Sequence, residues 1–112
     1  MADLVSQQMR SHEWIDARSL ALHEAVAARV EAQPQLLEVA RANLKRWLAA
    51  RPAAPLREWQ QLLDTLPLAA LLRLLRSPDE EAARLRQSSP FAGLLTPAER
   101  QAILSRYESS RP

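Results

Sequence analysis

The most informative stretch of the chain is LRQSSPFAGLLTPAER, residues 85–100, which interrupts an otherwise monotonous helical sequence. It contains the only glycine of the chain, Gly93, the only phenylalanine, Phe91, and the prolines Pro90 and Pro97. Glycine and proline both disfavour helix interiors. The pattern therefore predicts an ordered, non-helical connection between two helices. We call its central residues 88–95, SSPFAGLL, the joint.

Composition predicts an all-α fold around this joint. The 112 residues suffice for one domain of modest size. Leucine and alanine dominate, whereas the β-branched and aromatic residues that sheets favour are scarce. We expect a compact bundle of about six to seven short helices with proline-marked joints. Residues 1–16 would form an N-terminal helix or arm, residues 17–108 the bundle, and residues 109–112 a frayed tail.

Proline positions and apolar spacing predict the individual helices. The expected helices cover about residues 3–15, 17–32, 34–51, 56–66, 68–76, 78–87 and 97–107, with the RPAAP segment 51–55 as a connector. Ser77 is expected to cap the sixth helix and Thr96 the seventh, because each is followed by proline and then by glutamate at the third position. Leucines surround almost the whole of residues 68–76, which predicts a buried central helix or one covered by a partner.

The charge pattern argues against a dedicated nucleic-acid binder. The first fifty residues carry six Lys/Arg and six Asp/Glu, and residues 51–112 carry nine and seven, which leaves a net charge of +2. Arginines alternate with carboxylates instead of forming the clustered basic stripe of such proteins. The chain has no cysteine, its first residues lack the features of a signal peptide, and its most apolar stretch, residues 66–75, is too short to span a bilayer. These features predict a cytoplasmic protein without membrane attachment.

Candidate catalytic and metal-binding motifs are few. HEAVA, residues 23–27, begins like the zinc-protease signature H-E-x-x-H, but the second histidine is replaced by Ala27. A chain with one glycine cannot form a glycine-rich phosphate loop. We therefore expect no metal, no cofactor and no catalytic residue.

One alternative is enzymatic. Arg18 and His23 have the R-x-x-x-x-H spacing of the catalytic motif in HEPN-type ribonucleases, which are small helical bundles. Histidine and arginine could support acid–base catalysis and charge stabilisation at a phosphate. On one straight helix, however, five residues separate the two side chains by roughly 140°. The pair would converge only if a helix began between them or if two copies of the chain paired.

A second alternative is a small DNA-binding regulator. Residues 57–64 and 68–76 have the lengths of a helix–turn–helix, but the second helix offers only Arg73 and Arg76 among leucines and alanines, so it cannot read a groove.

The three tryptophans are candidates for the core or for an interface. Trp47 and Trp59 are expected in the core, whereas Trp14 lies outside a clean apolar stripe and is a candidate for an interface.

Four segments resemble, in this order, a family of small all-helical bacterial proteins. They are RSLALHEAVAARV (18–30), LLEVARANLKRWL (36–48), EWQQLLDTLPLAALLRLL (58–75) and LRQSSPFAGLLTPAER (85–100). Members of that family are usually encoded beside a gene for a toxin, often nucleotidyltransferase-like or PIN-type, and are regarded as antitoxins of type II toxin–antitoxin pairs. The most specific motif, R-x-S-S-P-F-x-G-x-L-[ST]-x-x-E-R, matches Arg86 to Arg100. Some relatives carry an Xre-type helix–turn–helix ahead of R-S-L-A-x-H, where this chain has only a short segment.

The resemblance implies a non-enzymatic protein that binds and neutralises a cognate protein toxin. An antitoxin needs a complementary surface, which Phe91 as a rigid anchor and the flanking arginines could supply. The expected partner-binding residues are Trp14, Arg18, Arg84, Arg86, Ser89, Pro90, Phe91, Gly93 and Arg100. Whether Phe91 faces a partner or plugs the bottom of the bundle stays open at this point, as does homo-oligomerisation.

Overall fold

Six α-helices and one short 3₁₀ helix form the part of the chain that the computed structural model describes, namely residues 2–112, with side chains from residue 10 onward. The helices are α1 (Ala2–Ala32), the 3₁₀ helix (Pro34–Leu36), α2 (Leu37–Ala50), α3 (Ala54–Thr65), α4 (Leu68–Arg76), α5 (Glu80–Arg86) and α6 (Pro97–Glu108). The described residues contain no strand, so the all-α prediction is confirmed. No helix in this range is long and apolar enough to cross a membrane.

The first helix is continuous, whereas the sequence pattern predicted two helices over residues 3–15 and 17–32. That prediction was wrong because nothing between residues 2 and 32 breaks a helix; the first proline is Pro34. A helix of 31 residues is about 46 Å long, which matches the longest dimension of the molecule, 46 Å. The helix α1 is therefore the spine of the fold, not a separate arm followed by short helices.

The other helices group around this spine. The backbones of α4, α5 and α6 pack against α1, while α2 and α3 pack against each other. One apolar core joins the two groups. Its largest fully buried apolar side chains include Trp59, Leu44, Leu75 and Val30. The prediction of a core position is confirmed for Trp59, whereas Trp47 is half-buried.

The helix α4 is buried on one side only. Leu71, Leu72 and Leu75 lie in the core, but Leu68 is 37% exposed at the helix start. Leucines on the remaining face therefore contribute to the surface. The all-round leucine pattern predicted more burial than α4 receives.

Prolines begin helices as expected at two positions, but two boundaries differ: that of α3, and that of α5, which begins at Glu80 and not at Pro78. Pro34 begins the 3₁₀ helix, and Pro97 begins α6. Pro55 lies in the first turn of α3, not in a connector before it, because the first turn needs no backbone donor at that position.

Of the two predicted N-caps, the one of α6 is confirmed and the one of α5 is wrong. Thr96 caps α6 as predicted: its hydroxyl accepts from the Glu99 amide at 3.1 Å, and the Glu99 carboxylate accepts from the Thr96 amide at 3.0 Å. The cap of α5 is Asp79, not Ser77. The Asp79 carboxylate accepts from the Ala82 amide at 2.8 Å and from the Ser77 hydroxyl at 2.8 Å. Those bonds lower the pKa of Asp79.

We predict that Thr96→Ala lowers the free energy of unfolding by about 1 kcal/mol, because it removes one half of the capping box. The measurement is urea denaturation followed by circular dichroism. Thr65→Ala is the matched control, since the Thr65 hydroxyl donates to the Gln61 carbonyl on the surface of α3. An equal loss in both variants would contradict the capping role.

Candidate functional site

The joint contains a hydrogen-bonded turn over residues 91–94. The Leu94 amide donates to the Phe91 carbonyl at 3.3 Å, which closes a four-residue turn. Gly93, at the third position, has φ +88°, the value that a type II turn requires there. A side chain at Gly93 would meet no neighbour within 4 Å, so its backbone conformation, not space, demands glycine. Pro90 restricts Ser89 to extended geometry just before the turn.

His23 of α1 holds the start of the joint. Its Nδ1 lies 2.7 Å from the Ser19 carbonyl oxygen, and its Nε2 lies 2.8 Å from the Ser89 hydroxyl. A carbonyl only accepts, so Nδ1 carries the proton, and Nε2 accepts from Ser89. Burial lowers the pKa of His23, the bond to Ser19 opposes that shift, and the Arg86 charge adds to it. The ring is therefore held neutral in the tautomer that binds Ser89.

Asn43 of α2 holds the middle of the joint. Its side-chain amide nitrogen donates to the carbonyls of Pro90 and Ala92, both at 2.9 Å. The Arg46 guanidinium donates to the Asn43 side-chain oxygen at 2.7 Å, which fixes the orientation of the amide. One buried side chain thus satisfies two carbonyls that the non-helical backbone leaves without helix partners.

Trp59 of α3 supports the helix end that leads into the joint. Its indole N–H donates to the Leu85 carbonyl at 2.7 Å. Phe91 packs edge-to-face on the Trp59 ring at 5.4 Å and on His23 at 6.1 Å between ring centroids. Phe91 is 5% exposed and Pro90 is buried. Both side chains lie in the core, so in this structure Phe91 is the plug of the bundle.

Two arginines that were expected to bind a partner make contacts within the chain. Arg86 is 5% exposed, and its guanidinium donates to the Ser77 carbonyl at 2.6 Å, at the end of α4. Burial lowers the pKa of Arg86, and its charge stabilises the negative end of the α4 dipole. Arg84 is exposed but paired: it binds Glu58 of α3 through two bonds of 3.1 Å and also binds Glu81. These carboxylates raise the pKa of Arg84.

Trp14 and Arg18 lie together at the C-terminal end of α6, away from the joint. The Trp14 indole N–H donates to the Tyr107 carbonyl at 2.8 Å. The Arg18 guanidinium stacks on the Trp14 ring at 4.6 Å, and that of Arg111 lies 5.8 Å from it. The half-buried ring therefore joins α1 to the C-terminal end of α6 and remains partly available to a partner.

The pair considered for a ribonuclease does not come together within the chain. Arg18 and His23 lie on the uninterrupted helix α1, so no helix begins between them. Arg18 stacks on Trp14, whereas His23 is 7% exposed with both ring nitrogens hydrogen-bonded. These contacts give His23 a role in holding the joint.

A cleft opens where α1, the joint and α6 meet. It has a volume of about 220 Å³ and is lined by Leu22, His23, Val26, Ser89, Phe91, Ala92, Gly93, Leu95 and Arg100. Ala92, Gly93 and Arg100 are exposed at its rim. Of the expected partner-binding residues, Ser89, Phe91, Gly93 and Arg100 are thus brought together here.

The role of Asn43 and the bond between His23 and Ser89 were not predicted from the sequence. One signal for Asn43 was available: it follows the buried Ala40 by three residues and precedes Leu44, so it lies on the apolar face of α2. A polar residue on such a face must find a buried partner. No comparable local signal connects His23 with Ser89, 66 residues further along the chain.

Comparison with known proteins adds no relative. No family model, curated protein or solved structure matches this chain.

We predict that Asn43→Leu lowers the free energy of unfolding by about 2–4 kcal/mol, because it removes the donor of a buried hydrogen bond to the Pro90 carbonyl and of a part-buried one to the Ala92 carbonyl. The joint amides should also exchange hydrogen faster, which mass spectrometry can follow. Arg46→Gln is the control, since Arg46 is exposed and only orients the Asn43 amide. It should cost less than about 1 kcal/mol. Unchanged exchange in Asn43→Leu would contradict the anchoring role.

We predict that acid removes the stabilising effect of His23. Its folded-state pKa lies below the ordinary 6.5, so the unfolded chain binds the proton first. The contribution is complete above pH 6.5 and is lost as pH falls below that value. Wild-type protein and His23→Gln should differ most in unfolding free energy at pH 8 and least near pH 5. The exposed His12 provides the control: His12→Gln should follow the wild-type pH dependence. If the unfolding free energies of the two proteins differed by the same amount at every pH, the pKa of His23 would be equal in the folded and unfolded states, and the prediction would be wrong.

Proposed function

We propose that this chain is a non-enzymatic, antitoxin-like protein that binds and neutralises a toxin encoded nearby. The observation that carries the proposal is that buried polar side chains hold the joint in place. His23, Asn43 and Trp59, from three helices, are hydrogen-bonded to the joint or to the helix end before it. A loop held this firmly is suited to recognition, since little conformational freedom remains to be lost on binding.

The groups that could suggest catalysis support the same proposal. His23 is buried and neutral, Arg86 stabilises the end of α4, and Arg84 is bound to two carboxylates. Their contacts are all within the fold. The internal contacts of these groups support a binding role for the joint, on which Ala92 and Gly93 are exposed.

The test is expression of the adjacent gene with and without this chain in a bacterial host. The adjacent product alone should arrest growth, co-expression should restore growth, and the two proteins should co-purify. Normal growth with the adjacent product alone would overturn the proposal. RNA cleavage by the purified chain, lost in His23→Ala, would favour the ribonuclease alternative instead.

A surface variant identifies the binding face. We predict that Ala92→Glu weakens the complex at least tenfold, because it puts a charge and extra volume on an exposed part of the joint. The matched control is Ala69→Glu, on an exposed part of α4 outside the cleft. Affinity is measured by calorimetry, with circular dichroism to show that both variants are folded. Equal affinities for the two variants would exclude the joint from the interface.

A further inference from the structure

The cleft beside the joint has the size of a single side chain. Its volume of about 220 Å³ is below the roughly 300–1,000 Å³ of sites that enclose a small molecule. Its walls include the apolar side chains of Leu22 and Val26 from α1 and of Ala92 and Leu95 from the joint. One aliphatic side chain from outside would therefore fill it.

The rim of the cleft carries a cation without a carboxylate partner. Arg100 is exposed and lines the cleft, and the described residues place no acidic group in an ion pair with it. The neighbouring carboxylate, Glu99, is already bound to Arg29 of α1 and to the Thr96 amide. Those contacts lower the pKa of Glu99, so it stays ionised and committed to them. The Arg100 charge is left for a ligand.

We infer that this cleft binds an acidic segment of the partner protein, with an aliphatic side chain between Leu22, Val26 and Leu95 and a carboxylate on Arg100. The inference rests on the proposed function, because it names the chemistry by which the toxin would be recognised. Charge complementarity decides the occupant: an apolar cleft with one free guanidinium favours an apolar group next to a carboxylate. Arg18, one helical turn before Leu22, would extend this preference along α1.

Small probes test this chemistry without the toxin. N-acetyl-leucine carries an isobutyl group and a carboxylate, whereas N-acetyl-leucinamide carries the same side chain without the charge. Each is titrated into the ¹⁵N-labelled full chain at millimolar concentrations and followed by NMR. We predict that N-acetyl-leucine shifts the amides of Ala92, Gly93 and Leu95 and binds about two- to fivefold more tightly than N-acetyl-leucinamide.

Two variants link the preference to Arg100. Arg100→Gln should abolish the difference between the two probes, since it removes the cation but keeps a long side chain. Arg106→Gln, at an exposed arginine of α6 that does not line the cleft, should preserve it. The indole N–H signal of Trp59 reports in every sample that the joint is still held.

Three results would overturn the inference. They are no shift of the joint amides with either probe, equal affinity for both probes, and a preference that survives Arg100→Gln. Inorganic phosphate is titrated separately. Shifts with phosphate and none with N-acetyl-leucine would assign the site to a phosphate-bearing ligand such as RNA.

Failure of this inference and failure of the proposed function give different results. If the toxin complex forms but Arg100→Gln binds it like wild type and the probes do not bind, only the acidic-segment site is wrong. If the probes bind as predicted but no complex with the adjacent product forms, the site remains and the antitoxin assignment fails.

Discussion

The fold depends on the hydrogen bonds and ring contacts that hold the joint between two groups of helices. His23 of α1 accepts a hydrogen bond from the Ser89 hydroxyl, and Asn43 of α2 donates to two carbonyls of the joint. Phe91 fills the space between the His23 and Trp59 rings. Since an unsatisfied buried carbonyl is costly, the non-helical backbone could not occupy this place without the Asn43 amide. Loss of the Asn43 or the His23 contact would affect both helix groups.

This arrangement links stability to function. The polar residues that a sequence search singles out as reactive are bound inside the chain, and what they position is a rigid surface. In the proposed function, binding would depend on a few exposed positions near Ala92 and Arg100. The internal contacts of the joint would then favour recognition, because a preorganised loop loses little entropy when a partner binds.

Much of the helical architecture could be predicted because it depends on neighbours in sequence. The Thr96 capping box needs only Glu99, three residues further on. The choice of Asp79 over Ser77 could not be predicted in the same way, because both residue types suit an N-cap. Arg84 and Arg86 are equivalent in composition, yet one binds Glu58 on the surface and the other is buried against the end of α4. Two positions along a helix differ by roughly 200°, and only the packing of α5 determines which side faces the core.

The all-α class, the helix starts at Pro34 and Pro97 and the turn at Gly93 follow from the sequence, because each depends on interactions within a few residues. The role of the joint follows from the packing of the helices. Packing made Phe91 a core residue, joined His23 to Ser89 across 66 positions, and placed Arg100 at the rim of a cleft. Burial and pairing depend on which distant surfaces meet, and local propensity carries no information about that.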